Sequence, residues 1–177
     1  MLGEFLDEYE LGDFQALSAE IRTRSERAMR ARIKAMRPGI YRNQVMIEGA
    51  PDPIALEVAI DVRDDGSVHA DFTGTGDCVA KGINVPFCYA RAMVLYTIKC
   101  LTVPDLPNNS GMTAPITAHA PAGCLLNAVA PAATGARHMI GHYVTPLVFG
   151  ALAEAAPGAV MADCGMMNLI TVQGRHR

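Results

Sequence analysis

Residues 54 to 73 constrain the fold of this chain more than any other stretch. Ile54, Leu56, Val58, Ile60 and Val62 alternate with Ala55, Glu57, Ala59, Asp61 and Arg63; Val68, Ala70 and Phe72 alternate with His69, Asp71 and Thr73. A period of two puts one apolar and one polar face on a pair of strands. Asp64-Asp65-Gly66 lies between them, and register decides the loop length. A two-residue turn would set Val62 against His69 and Ile60 against Asp71, mixing the faces. A three-residue loop sets Val62 against Val68, Ile60 against Ala70 and Val58 against Phe72, so both apolar sets share one side. The pattern therefore predicts a three-residue loop with Gly66 left-handed. His69, Asp71 and Thr73 then share the polar face.

The rest of the chain supplies helices and short strands. Asp13 to Met36 reads as an amphipathic helix, with apolar residues at Phe14, Leu17, Ile21, Met29, Ile33 and Met36 and a weak point at Ser25. Asp13 is the expected N-cap, and Pro38-Gly39 ends the helix. Its arginine run (Arg22, Arg24, Arg27, Arg30, Arg32) reads as a solvated or subunit-facing surface rather than an anion site. Ile40–Ile47 is a strand. Pro86–Leu101 is a helix with Pro86 in its first turn, apolar nearly all round and hence expected to be central. Ile116–Ala120 reads as a short strand, Leu125–Val129 as a further candidate, His138–Ala155 as a helix and Asn168–Val172 as a last strand. The fold class is α+β: an antiparallel hairpin or meander in a mixed sheet packed with helices.

Composition removes several functions. Half of the 177 residues are apolar and 19% are charged, which excludes a disordered chain. The net charge of −3 offers no basic field for nucleic acid, and tryptophan is absent. Cysteines at 78, 88, 100, 124 and 164 form no CxxC. They read as free thiols in a reducing compartment, most of them small buried residues. The first residues have no basic start and no apolar signal core. The two most apolar segments are interrupted, Phe87–Val103 by Arg91 and Lys99, and Tyr143–Ala162 by Pro146, Glu154 and Pro157. No membrane span and a cytoplasmic location are expected.

Several polar loops could carry chemistry. Gly74-Thr75-Gly76 follows the second hairpin strand, but Val79 stands where a dinucleotide fingerprint needs its third glycine, and Lys81-Gly82 is not the Gly-Lys-Ser/Thr of a phosphate loop. Asn84, Asn108, Asn109, Asn127 and Asn168 lie in or beside loops. Each offers a donor and an acceptor suited to a cyclic amide or a carboxylate, and for any single one the ordinary turn residue is the favoured reading. His138 and His142 stand four apart, and a metal site would need a third ligand such as His119, Asp163 or Cys164. The favoured alternative is Arg137 and His138 holding an anion at a helix start. No Gly-x-Ser-x-Gly elbow is present.

Taken in order, Ser25-Glu26-Arg27-Ala28-Met29-Arg30, Pro38-Gly39-Ile40-Tyr41, Asp71-Phe72-Thr73-Gly74-Thr75, Gly82-Ile83-Asn84-Val85-Pro86, Pro104 to Gly111, Ala120 to Asn127, Pro131-Ala132-Ala133 and Met166-Met167-Asn168-Leu169 are collinear with one family. From about Ser25 onward the chain resembles the hydantoinase B/oxoprolinase family. The resemblance implies a single partial domain over 1–177, with further family parts before and after it and so part of a larger fold. It also implies a function with an A-type subunit that binds ATP: opening cyclic amides such as hydantoin or 5-oxoproline. ATP and a divalent metal are expected in the complete complex, with no cofactor and no metal in this chain. A related ketone carboxylase and a non-catalytic assembly module remain as alternatives. Asp71, Thr73, Asn84, Asn127, Arg137 and His138 are the candidate substrate-binding residues, while the catalytic residues stay unassigned.

Overall fold

The computed structural model describes residues 2–48, 52–161 and 174. Four strands form one sheet in the order β1-β2-β3-β4: β1 Gly39–Ile47, β2 Ile54–Val62, β3 Val68–Asp71 and β4 Ile116–His119. The first three pair antiparallel and β4 runs parallel to β3, so the mixed α+β sheet expected from the sequence is present. The hairpin register is also as expected. Val62 faces Val68 and Ile60 faces Ala70. Arg63 N–H donates to Ser67 O at 3.0 Å, closing a three-residue loop, and Gly66 has φ +77°.

The ladder ends one pair early, at Ala59 and Asp71. Phe72 N–H turns instead to His119 O at 2.9 Å. Thr75 then takes the place of the next backbone pair: its Oγ1 accepts from Glu57 N–H at 3.1 Å and donates to Glu57 O at 3.2 Å. A side chain thus satisfies the β2 backbone while the main chain departs into the glycine loop.

Helices cover one face of the sheet. They are α1 Leu2–Glu8, α2 Gln15–Lys34, α3 Phe87–Thr102, α4 Ser110–Thr113, α5 His138–Gly141 and α6 Val144–Leu152. Leu56, Val58, Ile60 and Val62 meet the buried side of α6, where Val144, Leu147, Val148, Ala151 and Leu152 lie. Asn43 fixes α6 to β1 by donating to Leu147 O at 2.9 Å, in space that a side chain at Gly150 would fill.

The structure corrects six expectations. The expected helix His138–Ala155 is broken by a turn at His142–Tyr143 into α5 and α6. α3 is not central: it buries Ala90, Val94, Thr97, Ile98 and Thr102, while Cys88, Tyr96 and Cys100 are exposed on its other side. Cysteine burial accordingly holds for Cys124 but not for Cys88 or Cys100. Leu125–Val129 is no strand; its backbone is spent on turns and on the glycine loop. The N-cap of α2 is Phe14, with Asp13 accepting from Gln15 N–H at 2.7 Å outside the helix. The apolar stripe of α2 is buried only from Ser25 onward, and Leu17 and Ile21 are exposed. Ser25, the weak point of the pattern, is a buried seat: its hydroxyl donates to Ile21 O and accepts from Asn109 Nδ2 at 2.8 Å. Asn168–Val172 lies outside the described residues. No described helix is long and apolar enough to cross a membrane.

Candidate functional site

The uncovered face of the sheet is polar, and its register lines up side chains across all four strands. Arg42 faces Ala59, Ala59 faces Asp71, and Asp71 faces His119. In the next row, Ile40, Asp61, His69 and Thr117 follow one another. On the other side, Gln44 faces Glu57 and donates to its Oε1 at 3.0 Å. Ala59 is the small residue in this field. A depression of about 390 Å³ lies there, lined by Arg42, Asn43, Gln44, Glu57, Val58, Ala59 and Thr73.

Asp71 is held at the rim. Its Oδ1 accepts from Thr73 N–H at 3.0 Å and from the Thr73 hydroxyl at 2.7 Å. Burial works to raise the pKa of this carboxyl; the two Thr73 hydrogen bonds and the charges of His119 and His69 outweigh it and hold it below the usual carboxylate range. Asp65 and Ser67 repeat the same turn in the hairpin loop, so the turn alone marks nothing. Asp71 differs in facing two histidines, of which His69 bonds Thr117 Oγ1 at 2.8 Å. Arg42, Glu57 and His119 were missed as a group by sequence reasoning. The signal was available: once the hairpin register is fixed, Arg42 and His119 fall in the row of Asp71 as soon as the partners of β2 and β3 are known.

The other four candidates sit elsewhere, in a knot of three loops. Asn84 is fully buried. Its Oδ1 accepts from Val79 N–H at 2.8 Å, and its two amide hydrogens serve Val79 O, Lys81 O and Ala133 O at 2.8 to 2.9 Å. Both amide hydrogens are therefore spent on backbone, and Asn84 is a clamp rather than an open donor. Asn127 donates to Ala120 O at 2.8 Å. Arg137 and His138 are exposed at the start of α5. The expected anion-holding helix start is not formed, because the N–H groups of Arg137, Met139, Ile140 and Gly141 already bond Thr134, Ala136 and Arg137 carbonyls. His142 Nδ1 lies 2.6 Å from His138 O, while its Nε2 is buried without a partner. Backbone bonds tie the knot together, with Val85 N–H on Leu125 O, Ala128 N–H on Val85 O and Ala136 N–H on Gly82 O.

The glycine loop gives no phosphate cradle. Thr75, Gly76 and Cys78 N–H donate to Phe72, Ala55 and Gly123 carbonyls, and Val79 N–H to Asn84. Gly74, at φ +103°, lies against the Glu57 carboxylate, leaving no room for a side chain between them. Among the described residues, no group of three His, Cys, Asp or Glu side chains is arranged to hold a metal ion. Asp163 and Cys164 lie outside the described residues.

The chain belongs to the hydantoinase B/oxoprolinase family, whose model matches residues 1–177 and so extends over the N-terminal helices as well. It is 32% identical over 185 residues to a protein named as the B subunit of a D-/L-hydantoinase from Pseudomonas sp. (strain NS671), covering 97% of this chain and 31% of that protein. It is 30% identical over 189 residues to 5-oxoprolinase 1 of Arabidopsis thaliana, covering 97% of this chain and 14% of that one. The chain thus spans about a third or less of the length of these relatives. Its fold resembles that of an ATP-dependent caprolactamase from Pseudomonas jessenii, with a TM-score of 0.71 at 24% identity over 88% of this chain and 28% of the other. It also resembles an acetone carboxylase, with a TM-score of 0.66 at 18% identity over 76% and 20%. Both neighbours are larger, so the sheet and helices described above are part of a larger fold.

Proposed function

We propose that this chain is part of the B subunit of an ATP-dependent cyclic-amide hydrolase acting with an A-type, ATP-binding subunit. The observation that carries this reading is the likeness, along nearly the whole chain, to a protein named as a hydantoinase component of the B type. The open sheet face is the surface on which we place the ring. Opening an amide ring requires a cation or donor for the charge that grows on oxygen, and an acceptor for the proton that water gives up. Arg42 and Asp71 flank Ala59 and are suited to those roles, with His119 beside Asp71 as the group through which the proton can pass. Thr73 keeps Asp71 ionised and oriented.

ATP belongs on the partner in this reading, since the glycine loop has no free N–H row to receive it. There it would phosphorylate the amide oxygen and make the ring carbon a better electrophile. A divalent metal of the complete assembly would need ligands from beyond the described residues, among which no three His, Cys, Asp or Glu side chains are grouped. A cytoplasmic setting agrees with the free thiols.

The test is reconstitution. The complete B subunit that carries this chain, a hydantoinase A-type subunit, ATP and either hydantoin or 5-oxoproline should give ring-opened product together with ADP and phosphate. Arg42→Ala or Asp71→Asn should cut that turnover by about tenfold or more. Product that needs bicarbonate and a ketone would move the chain to the carboxylase branch. Absence of turnover, together with no saturable binding of cyclic amides in calorimetry, would overturn the reading in favour of an assembly module.

A further inference from the structure

The N-terminal arm is the least absorbed part of the molecule. The first ten residues of α2 bury no side chain; its buried residues are Ser25, Met29 and Ile33. Asn109 grips the helix at Ser25, and α4 approaches it closely where Gly111 meets the Arg22 backbone. Beyond that grip, Leu17 and Ile21 stand 38% and 48% exposed, four residues apart on one face. Phe5 and Tyr9 of the α1 region are exposed and stacked at 4.6 Å, and Phe5 rests on Phe14 at 5.6 Å.

Charge is graded along the same arm. Residues 1–21 carry six acidic side chains and no lysine or arginine, whereas residues 22–37 carry seven basic side chains against Glu26 alone. Within the chain, Glu20 pairs with Arg24 and Glu26 with Arg30, and Arg22 and Arg27 remain exposed. A partner surface of one sign would match only half of this arm. A second copy laid antiparallel matches both halves, because the acidic end of each meets the basic end of the other, as two-fold symmetry requires. We propose that residues 2–34 form a self-complementary docking arm whose occupant is the same arm of a second copy of this chain. Leu17 and Ile21 form the apolar seam, with Asp7 and Glu8 of one copy against Arg24 and Arg27 of the other.

Sedimentation velocity tests this on the 177-residue chain. A dimer is expected in about 20 mM salt, with its dissociation constant raised tenfold or more near 0.5 M as the charges are screened. Arg24→Glu with Arg27→Glu should leave a monomer, and so should Asp7→Lys with Glu8→Lys. Mixing those two variants should restore a heterodimer, since each then meets opposite charge at both ends. A wild-type monomer at low salt would overturn the proposal. So would a dimer indifferent to both charge swaps and to Leu17→Glu with Ile21→Glu, or failure of the two monomeric variants to pair.

Discussion

The loop knot around Asn84 and the open face of the sheet are both rich in polar groups, and they use polarity in opposite ways. In the knot, Asn84 is fully buried and bonds four backbone groups on three residues from two stretches of chain. On the sheet face, Arg42, Asp71 and His119 share a row but stand half-buried or exposed. A buried amide that lost its partners would be costly, so it acts as a structural rivet. An exposed row contributes little to stability and keeps its charges available to a ligand. The family motifs fall on both sides of this divide: the Gly82–Pro86 segment builds the knot, and Asp71 with Thr73 edges the face.

The sharpest way to break that comparison is at Asn84. Asn84→Ala should destabilise the fold by about 3 to 5 kcal/mol, because a buried N–H and three carbonyls lose their partner together. Asn84→Asp should do no better, since a carboxylate of the same shape has no hydrogens for Val79, Lys81 and Ala133. Urea denaturation measures both. A loss below about 1 kcal/mol, the size expected of a surface change, would show that the amide is not a rivet and return Asn84 to the list of ligand-binding residues.

Thr75 tests the hinge between the two regions. Thr75→Val keeps the shape but removes the hydroxyl that stands in for a backbone pair at Glu57, and should cost about 1 to 2 kcal/mol. Thr75→Ser keeps the hydroxyl and should recover much of that. Equal losses in urea for both variants would assign the effect to methyl packing instead.

Asp71 comes next. Its folded pKa is depressed, so its contribution is present above the unfolded value of about 3.9 and is lost as pH falls through the folded one. Solvent screening keeps that contribution below about 1 kcal/mol. Asp71→Asn should therefore leave stability at pH 7 slightly reduced and flatten the fall in stability between about pH 5 and pH 2. An unchanged acid limb would show that Thr73 and the two histidines do not hold the carboxyl as the geometry implies.

How far the sequence could be read follows from the same contrast. The hairpin was legible because alternation fixes which side chains share a side, and one register alone keeps Val62, Ile60 and their partners together. Asn84 was legible as important but not in its role, since a loop asparagine has the same composition cue whether its amide faces backbone or solvent. The break at His142–Tyr143 and the open side of α3 depend on what packs from outside the segment, which local periodicity does not carry. Leu17 and Ile21 fit the helical stripe well, yet the helix runs past the body that would have covered them. The row that contains Arg42 and His119 needed β1 and β4 placed beside the hairpin, and β4 arrives by a long crossover that includes α3 and α4.

Arg42 gives the smallest change in stability and the clearest separation of the two regions. It sits on the edge strand with its side chain exposed, and Arg42→Ala should shift stability by no more than about 0.5 kcal/mol. In the reconstituted enzyme the same change should lower turnover by about tenfold or more, because a cation beside the growing oxyanion acts on the transition state. Arg42→Lys keeps the charge but not the planar fork, and should recover part of the rate if charge is what matters and little if bidentate contact does. Steady-state kinetics with both variants, at matched folded fraction, decides. A turnover unaffected by Arg42→Ala would leave the sheet face as plain surface, and would shift the search for the pocket to the exposed Arg137 and His138 side of the knot.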